Sequence, residues 1–236
     1  MNESGVLSVV ATPIGNLGDI TLRALETLKQ ADAIACEDTR VTAKLLARYD
    51  IKKSLVSYHA RNARAAGARV LALLAEGKRV ALATDAGTPG ISDPGTELVA
   101  LVHERLGEAV RIEAIPGPSA LTTALSIAGL PTSSFLFLGF LPHKKGRQTL
   151  LREIASEPRA VVLYESPHRV ERLLASLAEL LPSDRKVAVC RELTKLHEQV
   201  ITGSARELYE ACTAGKVPAR GEFVVIIKSR HLGSRH

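Results

Sequence analysis

Along the first half of the chain, short apolar runs alternate with longer segments whose apolar residues recur every three or four positions. Leu7–Ala11, Ala33–Cys36, Leu55–Tyr58, Val80–Ala83 and Val110–Ile115 are runs of the first kind, with the length and composition of buried strands. Ile20–Gln30 carries Leu22, Leu25 and Leu28 on one face and reads as a helix, with Asp19 or Thr21 placed to cap it. A second helix runs to Tyr49 from a cap at Asp38 or Thr39, a third spans Ala65–Glu76, and a fourth runs from Glu97 to about Leu106. Strands that alternate with helices in this way predict a mostly parallel sheet.

After Ala120–Ala128, a further helix, the segment Gly129–Ser134 interrupts the pattern, which then begins again. Strands are expected at Phe135–Leu141, Ala160–Tyr164, Lys186–Cys190 and Phe223–Ile227, and Gln199–Gly203 is readable as one more. Helices are expected at Gln148–Ser156, Val170–Leu181 and Ala205–Ala214. The chain has no exact internal repeat and no low-complexity tract. The fold class is therefore α/β, as two α/β domains, 1–117 and 118–236, with a ligand cleft between them.

The connection after Val80–Ala83 breaks this economy. Ala81–Gly95, ALATDAGTPGISDPG, holds three glycines, two prolines (one of them Pro94) and two carboxylates before the next helix, whereas such connections usually take about 2–6 residues. Glycine lets backbone approach a ligand closely and proline fixes a turn in advance, so a ligand loop at the carboxyl end of a strand is expected. The competing reading is an ordinary strand–helix connection. Thr12–Asp19 is a second glycine-bearing loop, but Pro13 and the spacing of Gly15 and Gly18 do not give G-x-G-x-x-G, which disfavours a nicotinamide cofactor. Glu37-Asp38-Thr39-Arg40 and Pro116-Gly-Pro-Ser119 also end strands. The first is equally readable as a helix cap, and Ser119 is placed to cap the helix that follows it.

Composition narrows the picture only in part. With 236 residues, 46% hydrophobic and 24% charged, the chain can bury a sizeable core. Aromatics are only 3%, so that core is aliphatic. A formal charge of +6 is compatible with a polyanionic partner. Three scattered cysteines, Cys36, Cys190 and Cys212, give neither a zinc nor a disulfide pattern, and a reducing compartment is expected. No secretion signal or membrane-spanning run is visible, which points to the cytoplasm. No metal site is expected.

Eight strings occur in order across nearly the whole chain: TPIGNLGDITLRA, EDTR, SYH-x-x-N, TDAGTPGISDPG, IPGPSA, GFLP-x-K, YESPHR and RELTKLHE. Together they resemble the ribosomal RNA small-subunit methyltransferase I group of the tetrapyrrole-methylase superfamily. That resemblance implies S-adenosylmethionine as methyl donor, a homodimer of two-domain subunits, and methylation of a cytidine ribose 2′-hydroxyl in the decoding region of small-subunit rRNA. It implies a donor site made of Pro13, of Gly87, Thr88, Pro89 and Ile91, of Ser119 and Ala120, and of a wall around Tyr164 and Glu165. Two departures stand out: His143 occupies a position often held by arginine, and the sequence stops at His236 where many members continue into a short helical extension.

Methyl transfer from a sulfonium to oxygen is a direct displacement in which positioning dominates, helped by a base or by a charge that stabilises the alkoxide. Lys195, Glu192 and His168 are the candidates, each also readable as a structural or backbone-binding residue. Cations expected at an RNA-facing rim are Arg61 and Arg64 in one half, and Lys144, Lys145 and Arg147 in the other. The partner is then rRNA or the assembled small subunit. Two other classes compete: a methyltransferase acting on a small molecule such as a tetrapyrrole, and a non-enzymatic RNA-binding module, which the scarcity of aromatics disfavours.

Overall fold

In the computed structural model, residues 4–93 and 95–230 are described; Pro94 and the stop at His236 lie outside the described residues. The chain divides between Ser119 and Ala120 into two compact units.

The first unit contains strands β1 (Gly5–Val10), β2 (Ala33–Cys36), β3 (Ser54–Ser57), β4 (Arg79–Ala83) and β5 (Val110–Ile115), with helices α1 (Leu22–Gln30), α2 (Thr39–Arg48), α3 (Ala63–Ala75) and α4 (Gly95–Leu106). All pairings are parallel, in the order β3-β2-β4-β1-β5. Both faces of this sheet are covered, which is why its strands read as continuous apolar runs rather than alternating ones. On one face α3 and α4 bury Val70, Leu74, Leu98 and Val102 against Leu7, Val80 and Leu82. On the other, α1 and α2 set Ala24, Leu28, Leu45 and Leu46 against Val10, Ile34 and Ala81.

The helix expected from Ile20 begins two residues later. Leu17–Asp19 forms a 3-10 turn and Ile20 is extended, because the Thr21 hydroxyl caps α1 by accepting from the backbone N–H of Ala24. In α2 the cap is Asp38, which accepts from the N–H of Arg40.

The second unit contains α5 (Ala120–Ile127), β6 (Phe135–Phe140), α6 (Arg147–Ser156), β7 (Ala160–Glu165), α7 (Val170–Leu180), β8 (Val187–Arg191), β9 (Gln199–Gly203), α8 (Ala205–Thr213) and β10 (Phe223–Ile227). Its sheet is mixed, in the order β6-β7-β10-β8-β9. β6 and β7 are parallel, and every other pairing is antiparallel. The last strand therefore lies in the middle of the sheet. Helices α6, α7 and α8 bury Leu151, Ile154, Leu173, Leu177 and Leu208 on one face, and α5 packs against β10. Cys36 and Cys190 are buried and Cys212 is half-buried, all as free thiols; burial, reinforced by Glu198, pushes Cys190 up to about 11.

Candidate active site

Neighbouring strands β4 and β1 send their following helices to opposite faces of the first sheet, α4 to one and α1 to the other. Their connections must diverge, and an opening is left at the carboxyl ends of the two strands; open α/β sheets place ligands at such a switch point.

Here the two diverging loops are stitched together. Thr12 and Gly87 exchange backbone hydrogen bonds of 2.9 and 3.1 Å, an isolated antiparallel bridge beside parallel strands. The Thr12 hydroxyl donates to the Thr84 carbonyl at 3.1 Å. Thr88 extends the seam to the loop after β5, donating from its hydroxyl to the Pro118 carbonyl at 3.0 Å. Gly87 has φ +86, and a Cβ there would sit 3.3 Å from Ile14 Cγ2 and 3.7 Å from the Pro118 carbonyl oxygen. The backbone conformation calls for glycine, and a side chain there would in addition press on Ile14.

Farther along the same loop, Asp93 Oδ1 accepts from the N–H groups of Gly90 and Gly95 at 2.7 and 3.0 Å. One carboxylate thereby closes the loop and satisfies the start of α4. Pro13, Gly87 and Pro89 are buried, Thr88 is half-buried, and Ile91 is exposed. Pro13, Gly87, Thr88 and the stretch leading to Ser119 are thus brought together; Ser119 and Ala120 straddle the division between the units.

Beside this seam, at the carboxyl ends of β2, β3 and β4, lies a cavity of about 540 Å³ whose lining includes Glu37, Asp38, Ser57, His59, Arg61 and Asp85. Asp85 ties the β4 loop to the β2 loop by accepting from the Asp38 N–H at 3.0 Å. Asp38 turns its side chain to Arg40, whose guanidinium holds the carboxyl down at about 2. Burial, then the nearby carboxylates Asp85 and Asp93, push the Glu37 carboxyl up, partly opposed by His59. Arg61 and Arg64 are both exposed.

In the second unit, two expectations are corrected. Arg147 is not a rim cation: it opens α6 with only 3% exposure, its guanidinium 3.5 Å from the Glu165 carboxylate. Nor does Glu165 present a wall to a ligand, because its side chain is wholly buried between Arg147 and Arg169, the latter at 3.1 Å. Burial lowers Arg147, with Glu165 as the main opposing influence. Tyr164, half-buried, packs edge-on against Phe137 and Phe140 at 5.0 and 5.6 Å. Lys144 and Lys145 are exposed in the turn before α6.

The turn after β8 holds Glu192 and Thr194 at φ +50 and +66, backbone conformations that cost about 1–3 kcal/mol each outside glycine. Glu192 Oε1 accepts from Lys195 Nζ at 2.9 Å and from the Glu222 N–H at 3.1 Å, while Glu222 Oε2 takes a second bond from Lys195 at 3.0 Å. Burial on its own would lower the Lys195 ammonium, but these two carboxylates outweigh it and raise it. Glu192, which burial would raise, is lowered by the same pairing. The pair therefore stays ionised at neutral pH. His168 is exposed in the turn before α7. Glu222 joins this group without having been expected there; its only signal in the sequence is the Gly221-Glu222 step before the last strand.

Residues 6–209 match the family of Tetrapyrrole (Corrin/Porphyrin) Methylases. A protein of Mesorhizobium japonicum named ribosomal RNA small subunit methyltransferase I is 49% identical over 94% of this chain and 74% of its own length. The protein of that name from Thermotoga maritima is 45% identical over 96% of this chain and 99% of its own. Among solved structures, the methyltransferase CobJ superposes with a TM-score of 0.70 at 22% identity, covering 98% of both chains. Cobalt precorrin-4 methyltransferase, CbiF, gives 0.70 at 19% over 94% of both. At that identity the two structures speak for the fold alone. The chain belongs to the tetrapyrrole methylase family and, within it, to the ribosomal RNA small subunit methyltransferase I group.

Proposed function

We propose that the protein transfers a methyl group to the ribose 2′-hydroxyl of a cytidine in small-subunit rRNA, with S-adenosylmethionine as donor. The observation that carries the donor assignment is the stitched switch point at Thr12, Gly87 and Thr88, where hydrogen bonds tie three loops together around a left-handed glycine. A nucleoside joined to an amino acid needs glycine-lined backbone with a few apolar faces, and exposed Ile91, beside buried Pro13, Ile14 and Pro89, supplies one. The residues present therefore fit this donor.

When bound, S-adenosylmethionine supplies an electrophilic methyl on a sulfonium. The chain's own part is to hold the acceptor in line, an alignment worth about 7–11 kcal/mol when reacting atoms are well oriented. An ammonium held charged, as Lys195 is by Glu192 and Glu222, suits stabilisation of a developing alkoxide rather than proton abstraction. The substrate partner is rRNA or the assembled small subunit in the cytoplasm, approached by the exposed cations Arg61, Arg64, Lys144 and Lys145. The working form is a homodimer, expected by light scattering at twice 25.2 kDa.

The deciding experiment supplies labelled S-adenosylmethionine with purified small subunits, free rRNA and a tetrapyrrole in separate reactions. Label is expected on rRNA, with the modified ribose resisting alkaline cleavage on its 3′ side. Label on the tetrapyrrole alone would overturn the reading.

A further inference from the structure

The cavity beside the donor seam has no part in the donor assignment, yet the two share one loop. Asp85 lines the cavity and Gly87, two residues on, makes the seam. In the sheet order β3-β2-β4-β1-β5 the cavity lies over β3, β2 and β4 and the seam over β4, β1 and β5. A molecule in the cavity would thus be the immediate neighbour of a molecule at the seam. Its volume of about 540 Å³ falls inside the range of about 300–1,000 Å³ usual for small-ligand pockets.

The lining is selective. Asp38 is occupied by Arg40, and Asp85 accepts from the Asp38 N–H. Glu37 differs: among the described residues no hydrogen bond or ion pair holds its carboxylate, and it is half-buried. A carboxylate in that condition gains most from an N–H donor brought by a ligand. His59 adds a flat ring on which a base can stack, and exposed Arg61 adds a cation suited to phosphate.

We propose that this cavity seats the base of the nucleotide to be methylated, with Glu37 accepting a hydrogen bond from the exocyclic amino group of cytosine. The proposal rests on the rRNA methyl-transfer reading above. Cytosine offers an amino donor where uracil offers an oxygen acceptor, so uracil would set oxygen against carboxylate.

The test compares small subunits carrying the target cytidine with subunits carrying uridine there. Wild type is expected to prefer cytidine in kcat/KM by on the order of tenfold or more. Glu37→Ala is expected to collapse this ratio by losing activity on cytidine. Glu37→Gln is expected to collapse it from the other side, by gaining activity on uridine, because an amide can also donate to the uracil oxygen. Donor affinity, measured by calorimetry, should stay unchanged in both, and Glu37→Gln carries the comparison if the alanine variant does not fold. A merely structural Glu37 would lower activity on both substrates alike and leave their ratio where the wild type has it. An unchanged ratio in folded variants, or a wild type indifferent to the base, overturns the proposal alone. A wild type that methylates neither subunit overturns the parent reading, and this one with it.

Discussion

Thr12 and Gly87 lie 75 residues apart and exchange both of their backbone hydrogen bonds. The first glycine loop and the central one are therefore one structure, and damage to either reaches both. Valine at position 87 would combine a β-branched side chain with a left-handed backbone and crowd Ile14. Gly87→Val is expected to abolish S-adenosylmethionine binding by calorimetry while circular dichroism stays native. Undiminished affinity would place the donor elsewhere.

Lys195 has two carboxylate partners and an ammonium raised above its ordinary value. Deprotonation is thereby moved to higher pH, so Lys195 contributes no limb to the kcat–pH profile between about pH 6 and 9. Lys195→Met should cut turnover on the order of 10²-fold, the scale for losing one charge-stabilising donor, with donor affinity intact. A loss confined to the KM for RNA would reassign Lys195 to phosphate binding.

Glu165 neutralises two guanidinium groups, whereas Arg147 balances only one carboxylate that Arg169 also serves. Glu165→Ala leaves two cations facing each other beneath β7 and should cost about 3–5 kcal/mol in urea unfolding. Arg147→Ala should cost less. Equal losses would mean that Arg169 does not share the charge.

Lys144 and Lys145 are the exposed members of the cationic turn before α6. Replacing both with glutamine should weaken rRNA binding and flatten its log–log salt dependence by up to about 0.7 per lost single-strand contact. Donor binding should not move. Full affinity at physiological salt would exclude the turn from the RNA interface.

Much of this architecture is legible in the amino-acid sequence. Runs such as Ala33–Cys36 and Val80–Ala83 are apolar throughout because both faces of their sheet are covered, and such runs announce parallel strands. The mixed second sheet is less legible: nothing in Phe223–Ile227 says that it inserts between β7 and β8, because pairing partners leave no local mark. Arg147 misleads for a similar reason. A cation after Lys144 and Lys145 reads as surface, and only its approach to Glu165 on a neighbouring strand shows it to be interior. The strand end at Glu37 and Asp38 has two readings, cap or ligand edge: Asp38 caps α2, and Glu37 lines the cavity on which the cytosine proposal rests.

The position of β10 bears on how the protein is made. The first sheet is complete once Ile115 has been synthesised, and its unit can fold while the remainder is still being translated. In the second unit, β6-β7 and β8-β9 can pair early, but each pair keeps an open edge until Phe223–Ile227 emerges to join them. Between the emergence of Gly203 and that of Phe223 that half is two fragments with bare strand edges, the condition in which chains aggregate. A ribosome stalled just before Phe223 would carry a finished first unit tethered to an unfinished second, one that nascent-chain holdases should recognise and native protein should not.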